Sequence, residues 1–166
     1  MSENDCPDCA ARGRWAVLLA TGFGIGRAPF APGTFGTLAA VPVYLALSHA
    51  STALYVEIVV LMFVIGAIAC QIAGELLGEH DHPAIVWDEV VGYQITMFLA
   101  PAGWLWIAVG VLLFRLFDIW KPFPLRQVDR RWRNGFGTMS DDALAGIYAC
   151  LALHAIVWSA DSFGYL

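Results

Sequence analysis

Residues 53–73 form an apolar run of about 21 residues in which Glu57 is the one charge. A helix of that length rises about 30 Å, the thickness of a bilayer's hydrocarbon core. Four further apolar segments follow the same pattern: 35–49 (around Leu38, Val41, Val43, Tyr44 and Leu47), 85–100, 104–120 and 143–160. The shorter stretch 15–23 reads as an interfacial or packed helix. None of these segments alternates with period two, so the expected fold is all-α, a multi-helix membrane bundle of about five apolar helices. Composition points the same way. Hydrophobic residues make up 59%, charged residues 14%, and mean hydropathy is +0.66, which leaves little polar material to cover a soluble domain. The 166 residues suffice for one domain. The expected organisation is a polar N-terminal tail, 1–14, followed by a single helical domain, 15–166.

Charge sets an expected orientation. Arg12 and Arg14 precede the first segment, and Arg115, Lys121, Arg126, Arg130, Arg131 and Arg133 lie between the end of the fourth and the start of the fifth. The connections 50–52 and 101–103 carry no Lys or Arg. By the positive-inside rule the N-terminus and the loops 74–87 and 118–142 face the cytoplasm, and the C-terminus is periplasmic. Trp104, Trp106, Trp120 and Trp158 fall near segment ends, where amphipathic rings favour the interface. The net charge of −5 argues against a nucleic-acid partner. Cys70 and Cys150 read as buried small hydrophobes, and the lone Cys6-x-x-Cys9 as a tail feature without a second metal-ligand pair. The polar first 14 residues do not suggest a cleavable signal.

With this topology, separate polar clusters land at one depth: the Gly/Pro-rich loop 22–37, Asp88 and Glu89, Asp118, and Asp141 with Asp142. Ionisable groups in apolar segments are costly and mark functional sites. Asp81, Asp88, Glu89, Asp118, Asp141 and Asp142 offer only oxygen ligands, which suit Mg²⁺ or Mn²⁺. Carboxylates brought together repel unless a cation neutralises them. Asp141 and Asp142 also fit the N-terminal cap of the fifth segment. Gly146, one turn on from Asp142, would let a neighbouring helix approach closely. Arg115, Asp118 and Lys121 follow one another at helical spacing, with Arg a planar fork for phosphate and Lys a point charge. An Arg115–Asp118 ion pair is the plainer reading of the first two. The cluster Arg126, Arg130, Arg131 and Arg133 reads as a patch for anionic lipid. The Gly22-Phe23-Gly24-Ile25-Gly26 run is a weak phosphate signal and equally a helix-packing one. His80 and His82 read as solvated loop residues rather than metal ligands.

The blocks GFGIGRAPFAPGTFGT (22–37), HDHPAIVWDEVVG (80–92), FRLFDIWKPFP (114–124) and MSDDALAG (139–146) resemble the phosphatidylglycerophosphatase A family in composition and order. The resemblance implies a Mg²⁺-dependent phosphoric monoester hydrolase of the bacterial inner membrane. Its substrate would be an anionic phospholipid, phosphatidylglycerophosphate, and its products phosphatidylglycerol and phosphate. Asp81, Asp88, Glu89, Asp118 and Asp142 are then the expected metal ligands. Asp88, Glu89, Asp118, Asp141 and Asp142 are the catalytic candidates, with Asp141 as base or nucleophile. Arg115, Lys121, Gly33 and Thr34 are the expected phosphate-binding residues, with Pro32 and Gly36 in the same loop. A site on the cytoplasmic face follows from the topology. Two other lipid-enzyme classes fit less well. The paired-aspartate pattern of a phosphatidyltransferase is missing, and His49 and His154 lie far from any basic motif. A membrane cation-binding or transport protein using the same acids is the alternative from another class, but a transport path needs access from both faces.

Overall fold

The computed structural model describes residues 7–79, 82–123, 132 and 134–162, with side chains from Gly13 onward. Among them the chain is all-helical: α1 (Pro7–Ala20), a 3₁₀ turn (Ile25–Arg27), α2 (Pro32–Leu47), α3 (Thr52–Leu77), α4 (Trp87–Thr96), α5 (Trp104–Trp120) and α6 (Gly135–Ser162). Helix α1 therefore begins inside the stretch expected as a polar tail. Asp81, His80, Cys6, Arg126, Arg130, Arg131 and Arg133 lie outside the described residues.

The expected five apolar crossings reduce to two candidates. Among the described residues, only α3, with 26 residues, and α6, with 28, are long and apolar enough to cross a membrane. The third expected crossing, 85–100, is the clearest correction. Its helix α4 has ten residues, about 15 Å of rise or half a hydrocarbon core. It packs against α2, α3, α5 and α6 at once. Its apolar side chains Val90, Val91 and Tyr93 are buried inside protein rather than facing lipid. Its polar groups are satisfied there: Gln94 donates Nε2–H to the Ala40 carbonyl (3.0 Å), and the Gln94 backbone carbonyl accepts from Tyr55 Oη–H (2.7 Å). Tyr93 Oη–H donates to the Ile107 carbonyl at 3.2 Å. Such bonds offset the cost of enclosing polar atoms in an apolar core.

The fifth segment starts eight residues earlier than expected, at Gly135. The sequence there, Gly-Phe-Gly-Thr, reads as a loop because glycine is a poor helix former. The glycines are instead required by packing. A Cβ at Gly135 would strike the backbone of Ala67 and Gln71 on α3. Asn134 Oδ1 accepts the Gly137 N–H at 2.8 Å, which supplies an N-cap, and Gln71 Oε1 accepts the Gly135 N–H at 2.8 Å. Asp141 and Asp142 consequently sit inside α6, beyond its first turn, and the cap reading of these two residues falls away.

Helices α4 and α6 also cross closely. A Cβ at Gly146 would meet the Gly92 carbonyl oxygen, and one at Gly92 would lie 2.7 Å from the Asp142 carbonyl oxygen. This crossing sets the depth at which Asp142 faces Asp88 and Glu89. Alanine at an open helical position gains about 1 kcal/mol over glycine, but overpacking costs about 1–3 kcal/mol. Gly146→Ala is therefore expected to lower the thermal midpoint in detergent. A midpoint equal to or above wild type would show that the two helices separate freely.

Candidate functional site

Four helix ends meet around one polar cavity of about 360 Å³. The start of α2 contributes Pro32 and Gly33, the start of α4 Asp88 and Glu89, the end of α5 Arg115 and Asp118, and α6 Thr138, Asp141 and Asp142. Lys121, the C-cap of α5, completes the wall. Five carboxyl groups thus face two cations. Thr34, on the same turn as Gly33, is not among the lining residues. The Gly22–Gly26 run lies apart from the cavity and serves packing, since a Cβ at Gly26 would strike the Ala84 carbonyl.

Two cationic contacts organise the cavity. Arg115 Nη1 donates to Asp118 Oδ2 at 2.5 Å and lies 3.9 Å from Glu89 Oε1. Lys121 Nζ pairs with Asp141 Oδ2. Lys121 has φ 43° and Ala31, beside Pro32, has φ 46°. Both residues line the cavity, and left-handed backbone in a residue with a Cβ costs about 1–2 kcal/mol. Strain held at the rim of one cavity is a feature of functional sites.

Beside these cations, Asp88, Glu89 and Asp142 each place a carboxylate oxygen within 4.8 Å of the other two. Asp88 and Asp142 are buried. Asp88 Oδ1 accepts the Glu89 N–H at 3.1 Å. Glu89 Oε2 and Asp142 Oδ2 are enclosed without a hydrogen-bond partner among the described residues. Burial first, then the charges of Asp142 and Asp118, push the Glu89 carboxyl up to about 8, against opposing contributions from the Asp88 hydrogen bond and Arg115. Three convergent hard oxygen donors, two of them with an orphaned oxygen, fit a divalent cation such as Mg²⁺ or Mn²⁺. Such an ion would relieve the repulsion that raises Glu89.

Gly33 explains itself in this setting. A Cβ there would meet Glu89 Oε1 and lie 2.9 Å from Arg115 Nη1. Both neighbours are ends of flexible side chains, so Gly33→Ala should fold and displace them. A misplacement of about 1 Å in a positioned group can cost about 10²-fold in rate, and that is the expected loss of catalytic rate at wild-type thermal midpoint. Undiminished turnover would remove Gly33 from the site.

Thr138 escapes the sequence reading, because the fifth segment is expected to start only at 143. It sits three and four residues before Asp141 and Asp142, the spacing that shares a helix face. His82, expected as a solvated loop residue, is half-buried and lines the cavity. Its Nδ1 accepts the Ala84 N–H at 3.1 Å, so the neutral ring carries its proton on Nε2.

Comparison with known proteins identifies the family of the chain. A family model described as Phosphatidylglycerophosphatase A matches residues 18–157. The phosphatidylglycerophosphatase A of Escherichia coli K12 is 42% identical over 140 residues, covering 84% of this chain and 81% of that protein. That of Haemophilus influenzae is 45% identical over 141 residues, covering 84% of this chain and 86% of its own. No solved structure matches the chain.

Proposed function

From the chain's membership of the phosphatidylglycerophosphatase A family, we propose that it hydrolyses the terminal phosphomonoester of phosphatidylglycerophosphate with Mg²⁺ held by Asp88, Glu89 and Asp142. The reaction gives phosphatidylglycerol and inorganic phosphate. The observation that carries this reading is the convergence of three oxygen ligands within 4.8 Å, in a cavity that Arg115 and Lys121 also line. Asp81, just before α4 in sequence, is proposed as a further ligand. We place the enzyme in the bacterial inner membrane with the cavity at its cytoplasmic face. The two long apolar helices support a membrane location, and the cluster Lys121, Arg126, Arg130, Arg131 and Arg133 between them supports the cytoplasmic face.

Bound by these carboxylates, Mg²⁺ supplies Lewis-acid stabilisation of the phosphoryl oxygens. The remaining roles belong to the chain. Arg115 and Lys121 hold non-bridging phosphoryl oxygens and stabilise the charge that develops on them. Asp118 fixes the Arg115 fork through its 2.5 Å bond. Asp141, buried against Lys121, takes the proton of the attacking water. Gly33 and the start of α2 close the cavity beside the phosphate, and Thr34 on the same turn is proposed to assist there.

The test is inorganic phosphate released from phosphatidylglycerophosphate in detergent micelles, with Mg²⁺ and with excess EDTA. Release is expected with Mg²⁺ and abolished by EDTA, and Mn²⁺ should substitute. Equal release in both conditions would refute the metal. No release with Mg²⁺ from folded protein would refute the substrate.

A further inference from the structure

In the proposed reaction the polar cavity takes the terminal phosphate, and the substrate's diacylglycerol must leave it toward lipid. A groove on the outer face of α5 offers the exit. Among the described residues it is lined by Leu112, Arg115, Leu116, Ile119 and Trp120. Its four apolar residues are each more than half exposed. Arg115 is the one described residue that lines both groove and cavity. Its Nη1 is committed to Asp118 and leans on Glu89, whereas its Nε is buried without a hydrogen-bond partner among the described residues. The guanidinium therefore has one edge satisfied on the carboxylate side and a donor left over.

We propose that the α5 groove seats the glycerol and proximal acyl chain of the lipid substrate, with the Arg115 guanidinium, which lines both groove and cavity, donating to the phosphodiester that joins them to the headgroup. This inference rests on the lipid phosphatase reading and deepens it. The substrate has two phosphates separated by a glycerol, so the monoester in the carboxylate cavity leaves the diester one short step away. A donor between a polar cavity and an apolar groove matches that order of groups. A second apolar recess of about 280 Å³, between α3 and α6, is lined by Tyr55, Val59, Phe98, Cys150 and Leu151 among others. It shares no described residue with the polar cavity, so a chain bound there would not be continuous with the phosphate.

Two measurements on the full chain test the groove. In the first, a phosphatidylglycerophosphate analogue with a photoreactive diazirine on a proximal acyl carbon is irradiated with the protein in micelles, and labelled residues are mapped by mass spectrometry. Labelling confined to 112–120 and competed by unlabelled substrate is expected. Competed labelling of α3 and α6 around Tyr55 and Leu151 would overturn the groove. In the second, Leu116→Asn is assayed on the diacyl substrate and on its deacylated, water-soluble headgroup. The loss of kcat/KM on the diacyl substrate is expected to exceed the loss on the headgroup by about tenfold, the worth of roughly two buried methylenes. Equal losses would also overturn the groove. Wild type that releases phosphate from neither substrate, yet labels at 112–120, would refute the hydrolase reading and leave the lipid groove in place.

Discussion

Glutamine in place of Glu89 is expected to cut phosphate release by about 10³-fold or more, equivalent to about 4 kcal/mol of barrier. The same change is expected to raise the thermal midpoint of the EDTA-treated protein at pH 8. The two signs have one cause. Glu89 is buried beside Asp142 and Asp118, and the desolvation of its charge first, then their repulsion, is a standing cost in the metal-free protein. A neutral amide of the same shape removes that cost. It also replaces one of the three anionic oxygen donors that lie within 4.8 Å of one another by a neutral carbonyl oxygen, which weakens the proposed cation site. Phosphate assay and scanning fluorimetry on the same preparation separate this from misfolding, which would lower both. Turnover near wild type would refute the ligand role. A lower midpoint would mean that Glu89 stabilises the bundle through its contact with Arg115.

How far the site is legible in the sequence differs from element to element. The apolar segment 104–120 has the bounds of α5, because a run between a Pro-Ala-Gly turn and a Lys-Pro pair carries chemical signals at both ends. The convergence of Asp88, Glu89, Asp118, Asp141 and Asp142 is also legible. It needs only the order of the helices and their alternating direction. Segment 85–100 misleads because burial inside protein and burial in lipid select the same side chains. Only the ten-residue length of α4 and its ties to Tyr55 and Ala40 distinguish the two. The start of α6 is hidden because Gly135 and Gly137 answer to α3 and to Trp132, contacts distant in sequence or outside regular structure. Thr138 is lost with it. The left-handed backbone at Lys121 carries no sequence signal, yet it is where the chain leaves α5 and the lysine meets Asp141. Trp106 shares its spacing with interfacial tryptophans, but it is buried while Trp104, Trp120 and Trp158 are exposed. Spacing alone does not say which face of α5 meets α6.

The stability of the metal-free protein should fall as pH rises from about 4.5 to about 8, and Mg²⁺ should reverse the trend. An unperturbed glutamate carboxyl titrates at 4.5, and that of Glu89 is pushed up to about 8 in the fold. Between those values the folded state binds more protons than the unfolded chain, so unfolding free energy decreases with pH. Below the window both states hold the proton, and above it neither does, so the slope is confined to it. At about 1.4 kcal/mol per pKa unit the full effect is of the order of a few kcal/mol. That is a large part of a small domain's stability. Mg²⁺ competes with that proton, so its stabilisation should be small at pH 5.5 and large at pH 8. Scanning fluorimetry in detergent, in EDTA and in excess Mg²⁺ across this range, reads both trends. The Glu89→Gln protein should lose the Glu89 share of the slope in EDTA, because its amide does not titrate, while Asp142, raised by burial and by its acidic neighbours, keeps the rest. A midpoint in EDTA that rises toward pH 8 would show that the carboxylates are stabilised as charges by their protein neighbours, leaving a cation no repulsion to relieve.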